Sequence, residues 1–299
     1  MNTLDLNIAG YRIRLETTGS SPGISPGKRF EKFISNNQLP YDIKIIINKE
    51  QALLPDNATC IFDAPYVEEK DGVMRLVNPQ FWSVWKSDIS HHILTVYPTS
   101  SGIRRSVLDF SFEETIWNLS VETTSESIDP LEYPLDGLVI YYLTVIKGDI
   151  LIHASGISAG GKGYIFSGIS GKGKTTMAEL WRQNGTDVIH DDRLVIKNTG
   201  DSFLFKNTPV YDNEIPKESL LNKLFLIEHG KENRSERLTG AHAISSVISN
   251  CIQHNWGERT IATLLTSVTI LCSTVPVYRL YFRPDMSVIE YLTNFPEEL

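Results

Sequence analysis

The sequence predicts a mixed α/β (α+β) fold, with a β-rich N-terminal region at residues 1–128 and a core of strands and helices at residues 129–299. Three observations lead to this prediction. Residues 168–175 read Gly-Ile-Ser-Gly-Lys-Gly-Lys-Thr, a glycine-rich loop of the kind that joins a strand to a helix. An apolar strand at 164–166 enters this loop, and a helix at 175–184 leaves it. The first 128 residues consist mainly of short alternating or β-branched segments.

Composition narrows the class of protein. A length of 299 residues suits one large domain or two, and 41% hydrophobic residues can build a core. The net charge of −8, with no basic stripe, argues against a nucleic-acid partner. The three cysteines, Cys60, Cys251 and Cys272, are odd in number and lack metal-ligand spacing. This pattern indicates a reducing compartment, so we expect a cytoplasmic location.

No segment predicts membrane association. The N-terminus lacks a basic start followed by an apolar run, so we expect no secretory signal. The most apolar stretch, residues 261–277, is short and interrupted by Thr and Ser, and it ends around Pro276. We interpret this stretch as a buried helix followed by a strand.

The N-terminal region is predicted to form an antiparallel sheet. Its strand-like segments are 11–17, 41–48, 72–77, 93–97 and 106–112. The proline- and glycine-rich stretch 20–27 predicts a surface loop, followed by a helix near 28–36. His91 and His92 lack a third ligand at metal spacing, so they predict no metal site. No motif assigns a function to this region, for which we expect a role in recognising an acceptor.

The core begins with an apolar helix at 135–146, followed by a strand at 150–158. A turn at 159–162 then reverses the chain, and residues 163–167 form the second strand of a hairpin. If this hairpin pairs Ser158 with Gly163, constant antiparallel register places His153 opposite Gly168, beside the mouth of the glycine-rich loop. An isolated histidine in a strand is more often structural, and the inferred pairing is what makes His153 a candidate for function.

The rest of the core is predicted to combine further strands with helices. A strand is predicted at 187–190, and Asp191 and Asp192 follow it directly. Apolar residues at helical spacing predict two core helices, one at 241–252 with Thr239 as its cap and one at 258–272. The remaining predicted elements are strands at 194–197, 202–205, 224–228 and 277–282 and a short helix from Asp285.

The glycine-rich loop has the residues that phosphate binding requires. Gly168, Gly171 and Gly173 permit backbone angles that let several amides point at one anion. Lys174 can meet the β- and γ-phosphates of ATP, and the Thr175 hydroxyl can ligate Mg²⁺ at the N-terminus of a helix. The full candidate nucleotide-binding set is Gly168, Ser170, Gly171, Lys172, Gly173, Lys174, Thr175 and Thr176.

The paired acids suggest what is done with the nucleotide. Phosphoryl transfer needs a metal ligand beyond the loop threonine and a group that orients or deprotonates the attacking hydroxyl, and Asp191 and Asp192 can divide these tasks. In the structural alternative, Asp191 caps the following turn and Asp192 pairs with Arg193. Strand alternation turns His190 away from Asp191, which favours a packing role.

Three segments together resemble a known superfamily. These segments are His153-Ala154-Ser155, the loop from Gly168 to Thr176, and Ile189-His190-Asp191-Asp192-Arg193, in that order. They are similar to the HPr kinase/phosphorylase and phosphoenolpyruvate carboxykinase superfamily, most of all to HPr-kinase-like proteins that accompany ribosomally made, modified peptides. Some of those proteins are serine kinases that act on a precursor peptide. The resemblance spans roughly residues 130–299.

The resemblance implies a P-loop kinase core of the HPr kinase/carboxykinase type, built on a mixed sheet. It implies that Asp191 is the catalytic base, that Asp192 lies near the metal and that His153 supports the acid pair. Lys174 would complete the catalytic set by binding phosphates. Residues 225–230 read Phe-Leu-Ile-Glu-His-Gly, where HPr kinases carry Glu-x-Arg-Gly-x-Gly. This departure argues against HPr as the substrate and against the reverse phosphorylase reaction.

The leading hypothesis is a Mg²⁺-dependent kinase that transfers the γ-phosphoryl group of ATP to a hydroxyl, expected to be serine, of a peptide or small protein. Two alternatives stay open: a non-catalytic nucleotide-binding regulatory protein, and a kinase of a small metabolite such as free serine. We expect neither nucleic-acid nor membrane partners. The sequence does not determine the oligomeric state, and a homo-oligomer is compatible with it.

Overall fold

A computed structural model describes residues 2–19, 21–36, 40–70, 73–97 and 102–295. The chain divides into two compact units, of which unit 1 comprises Met1–Tyr142, Tyr211–Ile215 and His254–Trp256, and unit 2 comprises the rest. The predicted boundary at 128/129 divides an expected acceptor-recognition region from an expected catalytic core. This division of roles is not the same as the division into compact units, and it stays a prediction. Ser20 and Gly72, which belong to a predicted loop and a predicted strand, lie outside the described residues.

Unit 1 contains most of the strands of the N-terminal half, together with a 3₁₀ helix at Lys28–Phe33 and the start of helix α1 at Leu135–Lys147. The strands are β1 (Thr3–Ile8), β2 (Tyr11–Thr17), β3 (Gly23–Ile24), β4 (Ile43–Lys49), β5 (Thr59–Lys70), β6 (Val73–Ser87), β7 (Ser90–Val96), β8 (Arg105–Phe110), β9 (Ile116–Glu122) and β10 (Ser127–Ile128).

Eight of these strands form one sheet, in the order β1-β2-β4-β9-β8-β7-β6-β5. The predicted antiparallel pairing holds for the other neighbours in this sheet, but β4 runs parallel to both β2 and β9. Residue alternation identifies a strand but does not encode the direction of its neighbour, which depends on where the connecting chain returns. The alternating burial of Ile43, Ile45 and Ile47 shows which face of β4 packs on the core.

Unit 2 contains the remaining elements. The helices are α2 (Lys174–Gln183), α3 (Gly240–Ile248), α4 (Glu258–Thr274) and α5 (Ser287–Thr293). The strands are β11 (Ile150–Ala159), β12 (Lys162–Ser167), β13 (Asp187–His190), β14 (Arg193–Asn198), β15 (Phe203–Asn207), β16 (Glu218–His229), β17 (Arg234–Leu238) and β18 (Val277–Phe282). This unit thus combines helices with a sheet that contains both parallel and antiparallel strand pairs, which confirms the mixed α/β class.

The hairpin register predicted from the sequence is confirmed. Strands β11 and β12 pair Ser158 with Gly163 and Ala154 with Ser167. On its other side β11 pairs with β13 and β14. Strand β12 is parallel to β16, and β16 is parallel to β18. Because parallel strands end at the same edge of a sheet, the residues that close β16 and β18 lie beside the loop that follows β12.

Two hydrophobic layers cover the sheet of unit 2. One layer packs α3 and α4 on residues such as Ile152, Leu224 and Val277. The other packs α2 and α5 on residues such as Phe166 and Phe225. The stretch 261–277 forms most of α4 and the start of β18, so the predicted order of helix and strand is confirmed. The prediction of a buried helix is wrong, because α4 is amphipathic: Val268 and Leu271 are buried, whereas Leu265 and Ile270 are exposed. None of the helices in the described part of the chain combines the length and apolar character that a bilayer crossing requires.

Candidate functional site

The loop between β12 and α2 has a backbone shape that requires glycine at two positions. Gly171 and Gly173 have φ angles of +81° and +92°, in the left-handed region that side chains disfavour. A Cβ at Gly173 would also meet the Cζ atom of Phe282 at 3.0 Å. The strand, loop and helix thus follow one another as the motif requires, with the helix beginning at Lys174.

The side chain of Lys174 turns back into the loop. It is buried, and its ammonium group donates hydrogen bonds to the carbonyl oxygens of Gly168 at 2.7 Å and Ile169 at 3.3 Å. Burial lowers the pKa of Lys174, and the nearby carboxylate of Asp192 opposes that shift. The hydroxyl of Ser155 on β11 donates to the carbonyl of Lys174 at 2.6 Å, which fixes the start of α2 on the sheet.

The neighbouring lysine of the loop points elsewhere. Lys172 forms an ion pair with Glu228 of β16 at 2.8 Å. The next residue, His229, has its Nε2 atom 3.1 Å from the Gly171 carbonyl oxygen, and its ring stacks on Phe282 at 5.9 Å. The sequence carries no signal for these contacts, because they depend on the parallel pairing of β12, β16 and β18.

The two adjacent acids diverge. The carboxylate of Asp191 accepts a hydrogen bond from Arg182 of α2 at 3.0 Å. The carboxylate of Asp192 lies 3.7 Å from the Nε2 atom of His153. The Asp192 side chain is 30% exposed and that of Asp191 is 14% exposed. Asp192 is therefore the acid that lies beside His153. It also interacts with Lys174, since its carboxylate raises the pKa of that lysine.

His190 determines how the acid pair is presented. Its buried ring accepts, at Nδ1, hydrogen bonds from the backbone N–H groups of Asp192 at 2.9 Å and Arg193 at 3.2 Å. The carbonyl of Asp192 accepts in turn from the N–H of Ala154 on β11 at 2.9 Å. The predicted packing role of His190 is thus only part of its role, because its ring also shapes the turn that separates the two carboxylates.

His153 lies just beyond the last paired residues of the hairpin. Its carbonyl accepts a hydrogen bond from the Ser167 hydroxyl at 2.8 Å, and its side chain is about half exposed. Burial lowers the pKa of His153; Lys174 and Arg193 lower it further, and Asp192 raises it. Lys174, Asp192 and His153 therefore interact electrostatically at one end of the loop.

The remaining candidates are less tightly defined. Ser170, Thr175 and Thr176 are exposed at the loop and the first turn of α2. Their roles in ligand binding stay predictions.

The residues present are compatible with Mg²⁺ bound together with a nucleotide. Among the described residues, no group of three or more His, Cys, Asp or Glu side chains is arranged to hold a metal ion. Mg²⁺ sites in kinases commonly use one or two carboxylates and complete the ligand set with substrate phosphates and water. Asp192 and the exposed hydroxyl of Thr175 are oxygen donors of the required kind.

Comparison with known proteins gives no family assignment. No family model matches the chain. No curated protein matches it either. Among solved structures, an HPr(Ser) kinase/phosphatase from Coxiella burnetii is similar over 48% of this chain and 91% of that chain, with 9% sequence identity and a TM-score of 0.29. Similarity at this level assigns neither a fold nor an activity to the chain.

Proposed function

We propose that this protein is an ATP-dependent phosphotransferase that phosphorylates a hydroxyl group, with serine in a peptide or small protein as the expected acceptor. One observation carries the proposal. Lys174, whose ammonium lies inside the glycine-rich loop, interacts electrostatically with Asp192 and His153 at one end of that loop. A loop that only held a nucleotide would not need a carboxylate and a histidine at this position.

The residues of the proposed site have distinct tasks. The loop amides from Gly168 to Gly173 and the ammonium of Lys174 would bind the phosphates of ATP. Thr175 and Asp192 would hold Mg²⁺, which neutralises charge on the phosphates when bound. Asp191 is proposed as the general base toward the acceptor hydroxyl, and taking up a proton would require it to exchange its hydrogen bond with Arg182. His153 would keep Asp192 oriented.

The direct test is transfer of the γ-phosphoryl group. The full chain would be incubated with γ-labelled ATP, Mg²⁺ and a panel of serine-containing peptides, and matched peptides with alanine in place of serine would serve as controls. We expect label on the serine peptides alone. Transfer to free serine in the same assay would favour the metabolite kinase. Nucleotide binding with no transfer to any acceptor would contradict the proposal and favour the regulatory alternative.

The hydrogen bonds that the His190 ring accepts from the acid turn give a separate prediction. We expect His190→Leu to lower kcat about 100-fold, the scale of a misplacement of about 1 Å in a catalytic group. The Kd for ATP should change little, because the ring contacts the acid turn rather than the loop. His190→Asn keeps a side-chain oxygen that can accept the same N–H groups, so it should restore most of kcat.

Transfer kinetics and calorimetric ATP titration of both variants would check this prediction, with thermal unfolding as a control for folding. If His190→Asn loses as much kcat as His190→Leu while both stay folded, the accepting Nδ1 atom is not what orients the acids.

A further inference from the structure

A second cluster of reactive side chains lies in unit 1, on three consecutive strands. The hydroxyl oxygen of Ser87, at the end of β6, is 2.7 Å from Nε2 of His92 on β7. The other ring nitrogen of His92, Nδ1, is 2.5 Å from a carboxylate oxygen of Asp109 on β8. A serine, a histidine and an aspartate are thus joined in one chain of hydrogen bonds.

Strand register explains why these side chains meet. His92 pairs directly with Asp109 across β7 and β8, and with Trp85 across β6 and β7. Ser87 follows Trp85 by two residues, so both side chains project from the same face of the sheet. Strands β6 and β7 are joined by a tight turn that contains Asp88, whose φ angle is +35°. The serine therefore lies at the start of a sharp turn.

The direction of the hydrogen bonds follows from the chemistry of the three groups. An ionised carboxylate can only accept, so Asp109 requires the proton of His92 on Nδ1. Nε2 of a neutral His92 is then an acceptor, and the hydroxyl of Ser87 donates to it. This is the arrangement in which a histidine acts as a general base toward a serine and a carboxylate fixes its tautomer.

Burial differs along the chain of hydrogen bonds. The His92 side chain is 4% exposed, which restricts the ring to one orientation. Ser87 is partly exposed and so can be reached from solvent. Trp85, on the same face, packs against the apolar cluster of Ala52, Leu94 and Val107. The members of that cluster are buried, so the partly exposed ring of Trp85 is the apolar group on this face that a small acyl group on Ser87 would meet.

We propose that Ser87, His92 and Asp109 form a second catalytic site, independent of the glycine-rich loop, that transfers the acyl group of small, activated carboxylic esters to water. The site lies on a sheet face next to a turn, so a short acyl group with a good leaving group fits it better than a long chain. The backbone N–H of Asp88, which follows the nucleophile, is the nearest candidate in sequence for a donor to the developing oxyanion.

The reaction balances with water as the second substrate. The Ser87 oxygen attacks the ester carbonyl carbon while its proton passes to Nε2 of His92. The bond to the leaving oxygen then breaks, and that oxygen takes the proton from His92, which leaves an acyl-serine. Water attacks the acyl carbon with His92 as base, the bond to the Ser87 oxygen breaks, and that oxygen recovers the proton. The products are an alcohol or phenol and a carboxylic acid.

Two probes test the proposal on the full chain: a fluorophosphonate, read by intact mass and peptide mapping, and p-nitrophenyl acetate, read by release of nitrophenol. We expect the fluorophosphonate on Ser87, and both rates about 100-fold higher than for Ser87→Ala, the low end of general-base catalysis. His92→Gln and Asp109→Asn should slow both reactions. Ser90→Ala is the matched control, because it removes a hydroxyl from the residue opposite Ser87 in the strand register, and it should leave both rates unchanged.

The outcomes are separable from those of the proposed kinase. Lys174→Ala should retain ester hydrolysis, so failure at one site leaves the other standing. His92 is buried, and its replacement can disturb folding; Asp109 is 42% exposed, so Asp109→Asn supplies a variant that folding should tolerate. Wild-type rates equal to those of Ser87→Ala, with no adduct on Ser87, would overturn the proposal and show a structural hydrogen-bond chain only.

Discussion

Replacing Asp192 with asparagine is expected to lower kcat for phosphoryl transfer about 10³-fold, the scale found when one electrostatic group of a transition state is removed. The reason is its position, because its carboxylate lies 3.7 Å from His153 and offsets the lowered pKa of Lys174. Asparagine keeps the size of the side chain but removes the charge. Steady-state kinetics at saturating ATP, with calorimetric Kd values for ATP measured without Mg²⁺, would check the prediction.

The two acids should respond differently. The metal-free affinity of Asp192→Asn for ATP should stay within about threefold of the wild type, since phosphate binding is assigned to the loop and not to this carboxylate. Asp191→Asn should lower kcat about 100-fold if Asp191 is the base. Asp187→Asn is the matched control, because this exposed residue pairs with Lys217 at the start of β13 and should have no effect. An Asp191 variant as active as that control would remove Asp191 from the mechanism.

Local features of the candidate site could be predicted from the sequence. The turn at Gly160 and Gly161 is short, so it fixes the register of β11 and β12, and the pairing of Ser158 with Gly163 followed from it. This register brings His153 close to the loop. The strand at Asp187–His190 and the helix after the loop also follow from apolar patterning and the glycine that ends the helix.

Contacts between distant segments could not be predicted in the same way. The placement of Glu228 and His229 beside the loop depends on β16 running parallel to β12, and strand composition does not specify that direction. Alternation along β13 predicted a packing role for His190, but the ring accepts two backbone hydrogen bonds within the next turn. That turn ends the alternation, so the divergence of Asp191 and Asp192 had no signal in the spacing.

The same limit applies to unit 1. The spacing of His91 and His92 predicts no metal site, because no third ligand lies at a suitable distance in the sequence. The contacts of His92 instead come from a residue on each neighbouring strand, and they become apparent only when β6, β7 and β8 are in register. A serine at a turn and an aspartate in a strand carry no motif on their own.

The two lysines of the loop should differ in their effect on ATP binding. We expect Lys174→Ala to raise the Kd for ATP about 100-fold, the loss expected for charge-assisted contacts to phosphate inside a shielded loop. We expect less than about fivefold for Lys172→Ala, because its ammonium already pairs with Glu228 in a partly exposed ion pair, and such pairs contribute little. Calorimetric titration of ATP into each variant would measure both values.

Lys206→Ala is the matched control, since Lys206 forms an ion pair with Glu218 in the paired strands β15 and β16. Its Kd for ATP should equal that of the wild type, which would show that the loss of one positive charge does not by itself weaken ATP binding. We expect the larger loss of ATP affinity for Lys174→Ala because the two lysine side chains point in different directions. Lys174 donates to carbonyl oxygens within the loop, whereas Lys172 pairs with Glu228 on β16. Equal losses for the two loop variants would mean that ATP is held by the net charge of the loop, and the Lys174 geometry would no longer support a phosphotransferase.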